Sequence, residues 1–152
     1  MSPTAEFSER NLPSVAWWLL APGFGAAMAL ALLPIGPQVS IIGAIVITVL
    51  TAGLLVQWAG RIRVSEGVLY AGPARIDKRW LGTARVLRGS ELRAALGPDL
   101  DARTWLYIRP WLKSAVFIEN TDPADPAPAW IIATRRPVEL LNALGKDADA
   151  EN

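Results

Sequence analysis

The 152-residue sequence contains neither cysteine nor histidine. Those absences remove disulfide scaffolds, thiolate nucleophiles, imidazole bases and the usual zinc, haem and iron–sulfur sites, so no metal or other cofactor is expected. Charge is scarce too, at 19% of residues against 52% hydrophobic, a balance unusual for a soluble domain. The scarcity is local. All 15 basic and 14 acidic residues fall outside residues 11–60, which leaves a third of the chain without a formal charge.

A helix rises about 1.5 Å per residue and a bilayer core is about 30 Å thick, so a span needs roughly 20 apolar residues. Residues 15–33 and 39–59 meet that length, giving a transmembrane hairpin over residues 15–59. Residues 34–38 carry Pro34, Gly36 and Pro37 and form a short uncharged turn between them. Trp17 and Trp18 open the first span and Trp58 ends the second, which sets all three at one membrane interface. Pro22 is expected to kink the first helix or to mark a later start. A cleaved leader is the competing reading, but residues 1–14 offer Glu6 and Glu9 against a single Arg10, and a second span follows. Arg61, Arg63, Arg75, Lys78 and Arg79 follow the second span, so both termini are expected on the cytoplasmic side of the plasma membrane.

Small residues recur every fourth position in both spans. Gly23, Ala27 and Ala31 form one stripe, and Ala44, Thr48 and Ala52 form the other. Such stripes let helix backbones approach closely, within the hairpin or against another membrane protein.

With Glu6, Glu9 and Arg10 as the sole charges before them, residues 61–152 hold 14 basic and 12 acidic groups, enough for one small domain over 61–145. Its opening reads as a β-hairpin turning at Glu66-Gly67, with Val64 opposite Leu69 and Ile62 opposite Ala71 on one face, and Arg63 beside Tyr70 on the other. Further strands are expected around 75–77, 81–87, 104–108, 115–119 and 129–134. Ser90 is placed to cap a short helix ending before Gly97. Pro137, Leu140, Leu141, Leu144 and Gly145 describe a closing helix, and 146–152 reads as a disordered polar tail. The resulting fold class is a two-helix membrane hairpin followed by a small α+β domain with a bent antiparallel sheet and a C-terminal helix.

The turn into the closing helix, Thr134-Arg135-Arg136-Pro137-Val138-Glu139-Leu140, together with the opening hairpin, resembles the bacterial pleckstrin-homology-like fold. A second resemblance runs along nearly the whole chain. The tryptophan-led first span, Arg61-Ile62-Arg63-Val64, Ala94-Ala95-Leu96-Gly97-Pro98, Arg109-Pro110-Trp111, Asp122-Pro123-Ala124-Asp125-Pro126 and Thr134-Arg135-Arg136-Pro137 together resemble the actinobacterial membrane family called domain of unknown function 3093. That resemblance implies a two-span plasma-membrane protein with a cytoplasmic domain and supplies no activity.

Three functional readings stay open. The first is a non-enzymatic interaction module or accessory subunit with a membrane or cytoplasmic protein partner. The second is a module binding anionic lipid headgroups. For either, Arg109, Trp111, Arg135 and Arg136 are the candidate binding residues, because a planar cation next to a large aromatic ring, and paired arginines at a helix start, suit partner or phosphate contacts. The blander alternative is a buried Trp111 and solvated, ion-paired arginines. The third reading is an enzyme working at the membrane face through Asp99 or Asp101. Asp122 and Asp125 sit in a Pro-rich loop, where Asp commonly supports turns. No phosphate-cradling or nucleophile motif is present, and near-balanced charge gives no footprint for nucleic acid.

Overall fold

A computed structural model describes residues 7–146. The chain divides into two compact units, one formed by Leu12–Ala59 and the other by the segments on either side of it.

The first unit is a helical hairpin of α1 (Val15–Trp18), α2 (Leu20–Leu32) and α3 (Pro37–Trp58). Pro22 lacks the N–H that would bond the Trp18 carbonyl, and its ring crowds that oxygen; the helix accordingly breaks at Leu19 and restarts with Pro22 in its first turn. Gly36, at φ 146, ends the turn, and Pro37 is the first residue of α3. The stretches Val15–Leu32 and Pro37–Trp58, of 18 and 22 residues, are long and apolar enough to cross a bilayer. The antiparallel pairing sets Trp17 and Trp18 at the same end as Trp58.

The contact between α2 and α3 runs along a different face of α2 from the one expected. Gly23, Ala27 and Ala31 are exposed, and a side chain at Gly23 would meet nothing within 4 Å. Ala21 and Gly25 are buried instead. A Cβ on Gly25 would overlap Thr48 Oγ1 and lie 3.0 Å from the Ala44 carbonyl, so the helices approach closely there. Ala44, Thr48 and Ala52 do lie on the partly buried side of α3, with Ser40 and Leu55 buried along it. Ser40 Oγ donates to the Ala29 carbonyl at 2.6 Å, satisfying an acceptor in the last turn of α2.

Among the described residues, the second unit holds eight strands in two sheets, where a single bent sheet was expected. The first sheet, all antiparallel, runs in the order β1 (Phe7–Asn11), β2 (Gly60–Ser65), β3 (Val68–Ala71) and β4 (Ala74–Asp77). The second comprises β5 (Leu81–Arg88), β6 (Trp105–Tyr107), β7 (Ser114–Asn120) and β8 (Ala129–Ala133), ordered β5-β7-β8-β6 with β6 and β8 parallel. The ladder breaks between β4 and β5 at a 3₁₀ turn, Lys78–Trp80, where the Asp77 carboxylate accepts the Arg79 N–H at 3.0 Å. Helix α4 (Gly89–Ala95) follows β5, and α5 (Pro137–Ala143) closes the domain. Ser90 does not cap α4: the cap position is Arg88, with no side-chain cap bond.

The β2–β3 register is the expected one, with Ile62 opposite Ala71, Arg63 opposite Tyr70 and Val64 opposite Leu69. Glu66 and Gly67 turn at φ 52 and 77, the signature of a type I′ hairpin. Ile62, Val64, Leu69 and Ala71 are fully buried and meet Val116, Ile118 and Ile132 of the second sheet and Leu140 and Leu141 of α5. Leu87, Ala95, Ala115 and Ile131 form a smaller core on the other face of the second sheet, beneath α4. Covered on both faces, β8 is buried at all its residues.

Residues 1–14 were expected to form a cytoplasmic N-terminal segment separate from the domain at 61–145. Instead β1 extends the first sheet, pairing from Phe7–Val64 through Asn11–Gly60. The expected tail at 146–152 lies outside the described residues except for Lys146, whose ammonium donates to the Leu81 carbonyl at 2.8 Å.

Candidate functional site

Of the four residues singled out for binding, Trp111, Arg135 and Arg136 reach β1, Arg135 through its backbone N–H, whereas Arg109 stacks on Tyr107. Trp111 is buried, and its indole N–H donates to the Asn11 carbonyl at 3.3 Å. Asn11 is buried as well and donates to the Ala133 carbonyl at 3.1 Å. Beside it in the strand, Glu9 is buried at the turn that leads into α5. Its carboxylate accepts the Thr134 hydroxyl through Oε2 and the Arg135 N–H at 2.9 Å through Oε1. Thr134 Oγ1 in turn accepts the Arg136 N–H at 3.0 Å. The Arg136 guanidinium donates to the Ser8 carbonyl at 2.7 Å, pairs with Glu139 at 3.0 Å and covers the Phe7 ring. Arg109 stacks over Tyr107 with its guanidinium carbon 4.4 Å from the ring centroid. Tyr107 Oη accepts the Arg61 N–H at 2.9 Å, which ties the second sheet to the start of β2. The Thr134-Arg135-Arg136 and Arg109-Pro110-Trp111 strings therefore hold the strands on either side of the hairpin.

Sequence reasoning missed β1, although its signal was present. Phe7, Glu9 and Asn11 point inward and Ser8 and Arg10 outward, a period-two alternation disguised by two polar residues on the buried side.

A cleft of about 420 Å³ opens above the second sheet, roofed by α4 and the chain that follows it. Phe117, Ala129 and Ile131 supply an apolar floor, Ala95 of α4 lines the roof, and Arg85, Asp99, Asp101 and Glu119 bring charge to its wall. The Arg85 guanidinium lies 5.3 Å from the Phe117 centroid. Glu119 is fixed by Thr83, whose hydroxyl and N–H reach it at 2.9 and 3.2 Å, and these donors lower its pKa below the usual carboxylate range. Gly82 and an irregularity in the β5–β7 ladder make room for it, since a Cβ on Gly82 would lie 2.7 Å from the Glu119 carboxylate. Asp101 binds the Arg103 side chain at 2.8 Å and its N–H at 2.9 Å; this bonding brings its pKa down to about 2.

Asp99 and Asp101 thus share one cleft, as the enzymatic reading requires. Asp122 and Asp125 do not: each accepts a backbone N–H two residues on, and Asp125 also holds Asn120 at 2.8 Å and the Trp130 indole at 3.3 Å. Among the described residues no group of three acidic side chains could hold a metal ion.

No curated protein and no solved structure matches the chain. The model of one family, described as "Protein of unknown function (DUF3093)", matches residues 6–144, a stretch from the start of β1 through α5. The chain belongs to that family.

Proposed function

We propose that the protein is a non-enzymatic, membrane-anchored interaction module, an accessory subunit that offers a protein partner the cleft above its second sheet. The hairpin spans the plasma membrane in this reading, and a cytoplasmic domain of pleckstrin-homology-like character carries the cleft. Support for the membrane part comes from the charge-free third of the chain and from two helices of spanning length. Support for cytoplasmic termini comes from the cations beside the hairpin and their absence from its turn.

The chemistry of the cleft carries the functional part. An apolar floor beside ordered, ionised groups is the composition of a recognition surface. A general acid or base has to exchange a proton near neutral pH, which favours a raised carboxyl pKa. Asp101 and Glu119 move in the opposite direction, each held ionised by donors beside it. Acid–base work at the membrane face is therefore the weaker reading, and partner binding the stronger.

The test is purification of the full chain in mild detergent after crosslinking in cells from a photoreactive residue at Asp99. A reproducible heteromeric adduct is expected, lost when Phe117→Ala removes the ring that floors the cleft. A chain that runs alone as a monomer with no adduct overturns the reading.

A further inference from the structure

We infer that the outer face of the first sheet is a docking surface for anionic phospholipid headgroups. The inference rests on the membrane-anchored reading and moves headgroup contact away from Arg109, Arg135 and Arg136. Alternation along β1, β2 and β4 turns Arg10, Arg61, Arg63 and Arg75 outward, and all four are exposed. Register gathers them. Arg10 lies directly opposite Arg61, and the next exposed row runs Ser8, Arg63, Tyr70, Arg75 across four strands. None of the four forms a salt bridge among the described residues; Arg63 has one long bond, to Ser65 Oγ at 3.4 Å.

Two cations directly opposed on neighbouring strands destabilise a sheet. An anion laid across the rung removes that penalty. A shallow depression of about 240 Å³ opens on the same face between Arg61, Arg63, Ser65, Tyr70 and Gly72, with Glu66 the single carboxylate on its rim. Asp77, the other acid on this face, is engaged with Arg79 at 3.5 Å. The surplus is strongly positive, and its geometry is flat and repeated rather than a closed pocket, which fits a field of phosphates better than one small anion.

Chain continuity selects a lipid surface as the source of those phosphates. Arg10 precedes the first helical residue, Val15, by five positions, and Arg61 follows the last, Trp58, by three. At about 3.3 Å per extended residue, that rung cannot stray more than about 20 Å from the ends of the hairpin. Polybasic segments this near an anionic leaflet are drawn to it within a screening length. The hairpin already retains the protein, so the effect of this contact is to fix the tilt of the domain on the membrane.

The absence of cysteine gives a clean test, because Ser8→Cys on the full chain creates a unique labelling site at the β1 end of the arginine row, directly opposite Arg63. A nitroxide there is read in nanodiscs of phosphatidylcholine alone and with about 30 mol% phosphatidylglycerol, using a water-soluble nickel relaxant. With the anionic lipid the label should lose relaxant access several-fold, and recover it in about 1 M salt, where screening is down to about 3 Å. Arg61→Gln with Arg63→Gln should recover access as well, with tryptophan fluorescence reporting an unaltered fold. A label equally accessible in both lipids, or equally protected in both, overturns the headgroup inference. Carbonate extraction separates that failure from one of the anchored reading, since a chain washed out of native membranes refutes the anchor itself.

Discussion

Glu9 is the one buried carboxylate among the described residues, and its position explains why residues apart in sequence act together. It joins β1 to the turn before α5 by accepting from both Thr134 and Arg135. Removing an acceptor from buried donors leaves them without a partner, so Glu9→Ala should cost about 2 kcal/mol of stability. Chemical unfolding of the detergent-solubilised chain, followed by tryptophan fluorescence, checks this; an unchanged midpoint contradicts the junction. Nothing in the residue types alone announced the role, because an acid near a chain start is ordinarily solvated. Asp101 is the opposite case, exposed and held by Arg103. Its folded-state pKa of about 2 lies below the ordinary 3.8, so its contribution is present above 3.8 and is lost as pH falls through about 2. An NMR titration of the Asp101 carboxyl should show that low midpoint and, in Arg103→Ala, a return towards 3.8. A midpoint indifferent to Arg103 would contradict the assigned cause.

Elements differ in how plainly sequence encodes them. The β2–β3 hairpin was legible to the residue because apolar Ile62, Val64, Leu69 and Ala71 contrast with Arg63 and Tyr70, and a shift of one position would bury the polar set. Helix α2 offers no such contrast. Its residues are apolar on every side, so hydrophobicity does not set its rotation, and the small residues Gly23, Ala27 and Ala31 do not mark the face that meets α3. Rotation follows from the close approach at Gly25, where α2 meets Ala44 and Thr48. Gly25→Val would overpack that crossing and should cost about 1–3 kcal/mol. Gly23→Ala meets open space and should be neutral or stabilise by up to about 1 kcal/mol. Thermal denaturation of the two variants in one detergent compares them directly. Equal tolerance of both would mean that α2 packs in a different rotation. The division into two sheets was hidden for another reason, since it depends on the 3₁₀ turn at Lys78–Trp80, three residues that read equally well as continuing strand.

At the scale of the whole molecule, the hairpin is an insertion between two neighbouring strands of one sheet. β1 leads into the helices and β2 leads out of them, and the two are hydrogen-bonded from Phe7–Val64 to Asn11–Gly60. Strands separated by about 30 Å of hydrocarbon cannot share that ladder, so a bilayer-spanning hairpin must return the chain to the side it left. Two independent features bear on the proposed topology: the pairing keeps both ends of a spanning hairpin on one side, and the flanking cations are the reason for proposing that this side is cytoplasmic. A cytoplasm-active reporter fused after Asn152 should be functional, and a periplasm-active one silent at the same place. The pattern should reverse for fusions in residues 34–38. Periplasmic activity at both positions would refute the spanning hairpin, because the intervening α3 would then not cross. Periplasmic activity after Asn152 with cytoplasmic activity in the turn would leave the β1–β2 ladder intact and overturn the orientation alone. The two fusion sites thus test separately the shared side that the pairing requires and the cytoplasmic side proposed from the arginines beside the hairpin.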